Sequence, residues 1–163
     1  MTRSLTIILT VCTFGAVASA QFNTNSKNIA GNVSWNKTFY DGQDIGTLFI
    51  MSPSIGYFVK DGLALTASAS LTAFRYEAQW QIDDGNLGVG AKYFYEVDRG
   101  AVYGGGSFNF NGFRSPRSVL IELGFLLGLN KSVFLDCGLD YSMGLGDNKL
   151  STLSLGVGIA SFF

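Results

Sequence analysis

Residues 63–74 read LALTASASLTAF: Leu63, Leu65, Ala67, Ala69 and Leu71 alternate with Ala64, Thr66, Ser68, Ser70 and Thr72. Successive side chains of an extended chain point to opposite sides, so this stretch is a strand with one apolar face and one face of small, mostly polar groups. A sheet face turned to water carries Lys, Glu and Asp. Here the polar face carries hydroxyls and methyls instead.

The period of two extends in both directions. Upstream lie Ile29–Phe39 and Thr47–Val59, the latter with Phe49, Met51, Pro53, Ile55, Tyr57 and Val59 against Ile50, Ser52, Ser54, Gly56 and Phe58. The turn Lys60-Asp61-Gly62 separates it from the quoted strand. Downstream follow Leu87–Tyr95, Ala101–Phe110, Ser118–Leu129, Val133–Met143 and Leu150–Phe163. In the fifth of these eight segments Val102, Phe108 and Phe110 share one parity and Tyr103 the other, and Gly104-Gly105-Gly106 is a place where a bulge can shift the register. A membrane-crossing strand needs about 9–11 residues. Eight fit the chain with room for seven connections, ten are tight, and twelve leave too little for loops.

Of the 163 residues, 47% are hydrophobic and only 14% charged, against roughly 25% charged in an average soluble domain. Disorder is excluded by the apolar content and the formal charge of -1. A pI near 5.2 leaves no basic footprint for nucleic acid. The absence of His removes imidazole as base or ligand.

The first twenty residues have their own grammar. Arg3 precedes the apolar run Leu5–Val17, and Ala18-Ser19-Ala20 closes it. This is the pattern of a secretory leader cleaved after Ala20, too short to span a bilayer. The expected domains are therefore a signal peptide at 1–20 and a single strand domain at 21–163. Cys137 is then the one remaining thiol, so no internal disulfide is expected.

Charge placement separates a soluble barrel from a membrane one. Most charges fall at strand ends or in connections, and Lys92, Glu122, Asp136 and Asp140 lie inside strands on the small-polar face. A lipid-facing Lys or Arg near the bilayer midplane costs about 2–4 kcal/mol, so the outward face of a membrane barrel is kept free of charge. The apolar faces here meet that demand; Lys37 and Arg75 intrude only near predicted rims. Trp35, Phe39 and Phe49 gather toward one rim and Tyr57, Tyr93, Tyr95 and Phe163 toward the other, as interfacial girdles do.

Taken together, the leader, the eight alternating segments and the terminal Phe163 resemble small bacterial outer-membrane barrels, the porin-like outer membrane protein β-barrel domain family of the OmpX and OmpA-barrel kind. Ser52–Leu65 looks like that family's second hairpin. Gly156–Phe163 looks like its C-terminal assembly signal, with Gly158 five residues before the final aromatic, although Ser161 departs from the usual apolar residue. The resemblance implies an all-β, eight-stranded antiparallel up-and-down transmembrane barrel in the outer membrane. It implies recognition of the last strand by the barrel-assembly machinery, lipid as the surrounding partner, a monomer, and both termini in the periplasm. Lys60–Gly62, Glu96–Gly100 and Asn130–Ser132 would be periplasmic turns, and Tyr40–Gly46, Arg75–Asn86, Asn111–Arg117 and Gly144–Lys149 outer loops.

No cofactor, metal or catalytic residue is expected. The nearest thing to a constellation is the lumen set Lys92, Glu122, Asp136 and Asp140. A symmetric hairpin about Asn130-Lys131-Ser132 places Glu122 opposite Asp140, and one ammonium then serves three carboxylates. The set fills a narrow lumen in a structural envelope protein, or it lines a small passive pore for ions or very small solutes. A soluble ligand-binding barrel is the third reading. Cys137 falls on the outward face, as a small apolar residue.

Overall fold

A computed structural model describes residues 22–40, 43–76, 79–111, 116–145 and 151–163, with side chains described for 22–34, 49–73, 85–110, 118–145 and 153–163. Eight strands form one sheet: β1 (Lys27–Tyr40), β2 (Gln43–Lys60), β3 (Leu63–Tyr76), β4 (Gln79–Val97), β5 (Gly100–Asn111), β6 (Pro116–Gly128), β7 (Val133–Gly144) and β8 (Ser151–Phe162). Each pairs antiparallel with its sequence neighbour, and β8 returns to β1, closing the barrel. Closure removes the unpaired strand edges that an open sheet of this length would expose.

Paired residues followed from Asn28 through Gly56, Thr66, Gly90, Ser107, Leu120, Ser142 and Thr152 climb the wall. They reach β1 about ten residues beyond the start, and a stagger of this size tilts the strands by about 40°.

Three short turns share one end of the barrel, here the near rim. Asp61-Gly62 joins β2 to β3, with Gly62 at φ 76° and a register shift between Phe58 and Lys60. That pattern is a tight turn closed by a left-handed glycine at a bulge. Asp98-Arg99 joins β4 to β5. Between β6 and β7 the Asn130 side-chain oxygen accepts from the amides of Ser132 and Val133, each at 2.9 Å, so the side chain builds its own turn.

The far end differs from expectation. Of the expected loop Arg75–Asn86, the described residues belong to β3 and β4: Thr72 pairs Asp83, Phe74 pairs Gln81 and Tyr76 pairs Gln79. Likewise Phe39 pairs Asp44 and Tyr40 pairs Gln43, inside the expected connection Tyr40–Gly46. The ladder continues past the central belt; Trp80 and Ile82 alternate there with Gln79, Gln81 and Asp83, a strand pattern that the turn-like run Asp83-Asp84-Gly85-Asn86 obscures in sequence. The fifth strand is also simpler than expected. Its ladder with β4 runs unbroken from Asn86–Asn111 to Val97–Gly100, through all three glycines. No bulge lies there; the register shift sits between Asn109 and Phe110, against β6. Val102 and Phe108 point outward, and Tyr103 points inward because nothing displaces the ordinary alternation.

The two faces part cleanly. Leu65, Leu123, Leu139 and Val157 are 54%, 58%, 44% and 51% exposed on the outside. The side chains of Lys92 and Glu122 are 19% and 14% exposed within the lumen. Asp136 and Asp140 face the lumen too, and the other described charged side chains (Lys27, Lys60, Asp61, Glu96, Asp98, Arg99 and Lys131) lie at the near rim. From Leu153 on β8 to Phe163 just past its end, the chain covers roughly 33 Å, about 25 Å of barrel height at this tilt.

Candidate functional site

Among the described residues, the lumen is where the fold gathers chemistry-bearing side chains. Its near end is an aromatic floor. Phe58 (β2), Phe94 (β4), Phe134 (β7) and Phe162 (β8) all point inward and are buried. Phe22, from the segment before β1, stands among them. Its ring centroid is 5.9, 5.3, 6.3 and 5.0 Å from those of Phe58, Phe94, Phe134 and Phe162 respectively. It stacks on Phe94 and meets Phe162 edge-on, the two arrangements that ring quadrupoles favour. Ala64, Ala101, Leu126 and Ala160 complete the floor.

Tyr103 begins the polar tier. Its ring lies 5.5 Å from Phe94, and its hydroxyl donates to Asp136 at 2.8 Å. To reach β7 the side chain must cross β6, and it crosses at glycines. A Cβ on Gly124 would run into the Tyr103 ring, and one on Gly138 would come 2.8 Å from its hydroxyl. The Lys92 ammonium sits 5.1 Å from the Tyr103 centroid, over the negative face of the ring.

Lys92 also makes an ion pair with Glu122. These residues belong to β4 and β6, with β5 between them. The residue paired with both is Gly105, and a Cβ there would approach Lys92 Cγ to 2.7 Å. The missing side chain is the gap through which the pair forms. Asp140 pairs with Glu122 in the ladder, side by side as the hairpin symmetry requires. So all four expected residues face the lumen: Lys92 meets Glu122, Glu122 neighbours Asp140, and Asp136 joins them through Tyr103. Two buried lumen atoms, Asn28 Oδ1 and Ser107 Oγ, have no hydrogen-bond partner.

From sequence, Tyr103 passes for a register fault and the phenylalanine floor is not recognised as part of the lumen. Phe58 and Phe94 sit on the small-polar face in sequence, and that misplacement is the signal that was available. Phe22 had no such signal, because it precedes the first strand. At the outside of the near rim Tyr57, Tyr93, Tyr95 and Phe163 are exposed, as a girdle requires. The side chains of Trp35, Lys37, Phe39 and Arg75 lie outside the described residues. Cys137 is a free thiol on the outer face. Gly158 sits opposite Asn32 at the closing seam, where a Cβ would come 2.8 Å from the Asn32 Cα.

No protein-family model and no curated protein matches this chain. Solved structures do. The N-terminal β-barrel domain of Pseudomonas aeruginosa OprF aligns with 18% identity and a TM-score of 0.57, over 86% of this chain and 98% of that one. The Yersinia pestis outer membrane protein Ail in a phospholipid bilayer nanodisc aligns with 14% identity and a TM-score of 0.54, over 86% and 100%. The crystal structure of Ail, the attachment invasion locus protein, gives 13% identity and 0.50 over 86% and 99%. At these identities the likeness concerns the fold: a closed, eight-stranded, all-antiparallel barrel.

Proposed function

We propose that this chain is an integral barrel of a Gram-negative outer membrane, with a structural role in the envelope and a lumen sealed by its own side chains. The observation that carries this reading is the reversed polarity of the wall. Leucines, isoleucines and valines cover the outside, while the strand-interior charges are folded inside around Tyr103. Water around such an outer face would meet an apolar belt far larger than a soluble monomer exposes. Acyl chains meet it without penalty, over a height close to the roughly 25 Å band of outer-membrane barrels.

Within this reading the leader at 1–20 directs export and is cleaved after Ala20. The last strand addresses the assembly machinery through Phe163, whose ring is exposed, and Gly158. The barrel works as a monomer in lipid without catalysis or cofactor. Lys92, Glu122, Asp136 and Asp140 act as a structural network rather than an ion constriction, because the aromatic floor blocks the lumen beneath them.

The experiment is fractionation of expressing cells followed by gel analysis with and without boiling. A heat-modifiable band in the outer-membrane fraction is expected. A soluble band that needs no detergent would defeat the proposal and favour the soluble barrel. Purified protein in planar bilayers should then give no discrete steps; stable steps would favour the passive pore.

A further inference from the structure

The seam that closes the barrel is shorter than its strands. Among the described residues, β1 and β8 pair from Asn28–Phe162 to Val33–Val157 and no further. Both strands continue beyond that point, each with its other neighbour. β1 pairs β2 as far as Tyr40–Gln43, and β8 pairs β7 as far as Met143–Ser151. The wall therefore forks above Val33 and Val157. The near end of the same seam is fastened. Lys27 and Phe163 exchange both backbone hydrogen bonds, at 2.7 and 3.0 Å. A strap, residues 22–25, sets the Phe22 ring edge-on to Phe162. A clasp holds it to the rim, where Asp61 Oδ1 accepts from the Thr24 amide and from the Thr24 hydroxyl, each at 2.8 Å.

The Lys27–Phe163 exchange fixes which backbone groups face the seam: those of the odd-numbered residues on both strands. In the fork these are Trp35 and Lys37 on one edge and Leu153 and Leu155 on the other. Each carries an N–H and a C=O that the opposite edge does not meet. The β8 edge lies at membrane depth, because Leu155 shares a ladder row with Leu139 and Leu123 in the apolar belt. Leu155 and Leu153 are 69% and 64% exposed, the highest values among the described large apolar side chains, as residues on an open edge should be. Backbone groups beside acyl chains are costly unless something polar meets them. What surrounds the outer wall of a monomeric barrel is lipid. Leu153 stands about 25 Å above Phe163, at the height where head groups begin. Phosphate and ester oxygens can accept from the open N–H groups. The open C=O groups need a donor, which a hydroxyl- or amine-bearing head supplies and a choline head does not.

We propose that the β1–β8 fork is a binding cleft for one phospholipid with a hydroxyl- or amine-bearing head, the head hydrogen-bonded to the open edges and the chains lying along Leu153 and Leu155. This rests on the reading of the outer wall as lipid-facing. The test uses protein with Cys12 and Cys137 replaced by Ser, and the same protein carrying Asn36→Cys/Ser154→Cys. Continuing the register of Asn28–Phe162 sets positions 36 and 154 opposite each other at a non-hydrogen-bonded step, where Cβ atoms come close, so oxidation draws the fork shut. Both proteins are folded into phosphatidylcholine vesicles holding a minor share of phosphatidylglycerol, moved to mild detergent and weighed by native mass spectrometry. The open and the reduced protein should each carry one phosphatidylglycerol, enriched several-fold over its share in the vesicle, and the oxidised protein should lose it. If the disulfide does not form, amide chemical shifts decide. Phosphatidylglycerol added to protein in phosphatidylcholine nanodiscs should move the amides of Trp35, Lys37, Leu153 and Leu155 and leave those of the paired Ile29 and Ile159 in place. No enrichment, equal enrichment in reduced and oxidised protein, or equal shifts at open and paired amides would overturn the cleft while leaving the lipid-facing wall standing. Protein that stays in water and joins no vesicle would overturn that reading, and the cleft with it.

Discussion

Replacing Gly124 by Ala tests how the lumen is packed. The added methyl would occupy the space of the Tyr103 ring, close to its Cζ and hydroxyl and 2.5 Å from Cε1. Backbone pairing on both sides of Gly124 leaves β6 little room to retreat, so the ring must move. Overpacking a filled interior costs about 1–3 kcal/mol. Displacing the ring also breaks its hydrogen bond to Asp136, and stranding an acceptor there adds about 1–3 kcal/mol. The expected loss is about 2–6 kcal/mol. Gly138→Ala should cost less, because its methyl meets only the hydroxyl end of the ring. The assay is urea unfolding of the barrel in lipid vesicles, read by circular dichroism and by the heat-modifiable band. A double-mutant cycle isolates the contact: in a Tyr103→Ala background the methyl enters vacated space, and Gly124→Ala should cost less than about 1 kcal/mol. A Gly124→Ala midpoint equal to wild type, or simple additivity with Tyr103→Ala, would refute the packing described.

Three further outcomes follow from the same geometry. Leu123→Arg places a charge on the outer face, on the ladder step between Gly104 and Leu139, and should destabilise the barrel in vesicles by about 2–4 kcal/mol; a change below about 0.5 kcal/mol would mean that this face is wet. Lys92→Met strands Glu122 and should cost about 3–5 kcal/mol in vesicle unfolding, with most of the loss recovered by adding Glu122→Leu; an undiminished loss in the double variant would show that the pair is not the cause. The two Thr24 hydrogen bonds hold the Asp61 carboxyl below its ordinary value of 3.8, so the clasp contributes above that value and is lost as pH falls through the lowered one. Protection of the Thr24 amide against hydrogen exchange should therefore be constant down to about pH 5 and drop only in strong acid, and Asp61→Asn should remove the drop; a loss near neutral pH would assign the clasp to another group.

The strand count, their order and the parity of nearly every described residue were legible because lipid and lumen impose opposite chemistries on alternate positions. The Glu122–Asp140 pairing was legible because a hairpin's centre fixes its register. What escaped the sequence has physical causes. In β4, Trp80 and Ile82 alternate with Gln79, Gln81 and Asp83, and the turn-like run Asp83-Asp84-Gly85-Asn86 behind them hid that strand signal. Lys92 and Glu122 meet across an intervening strand, through the vacancy at Gly105, and such a contact follows from the curvature of the closed wall rather than from any pair of neighbours. Tyr103 looked like a register fault beside three glycines. In the barrel it is an inward ring, and two other glycines, Gly124 and Gly138, make its room. Phe22 belongs to no strand, and only the closed barrel shows that the mouth has space for it.

Cys137 offers the most direct test of where the outer wall faces. It is exposed in β7, paired to Phe125 and Val157 in the apolar belt. With Cys12 replaced by Ser it is the single thiol of the chain. An environment-sensitive fluorophore attached there, in protein folded into vesicles, should emit to the blue, be quenched by lipids brominated along their acyl chains, and resist aqueous iodide. Quenching by iodide with no response to brominated lipid would place that wall in water and contradict the account.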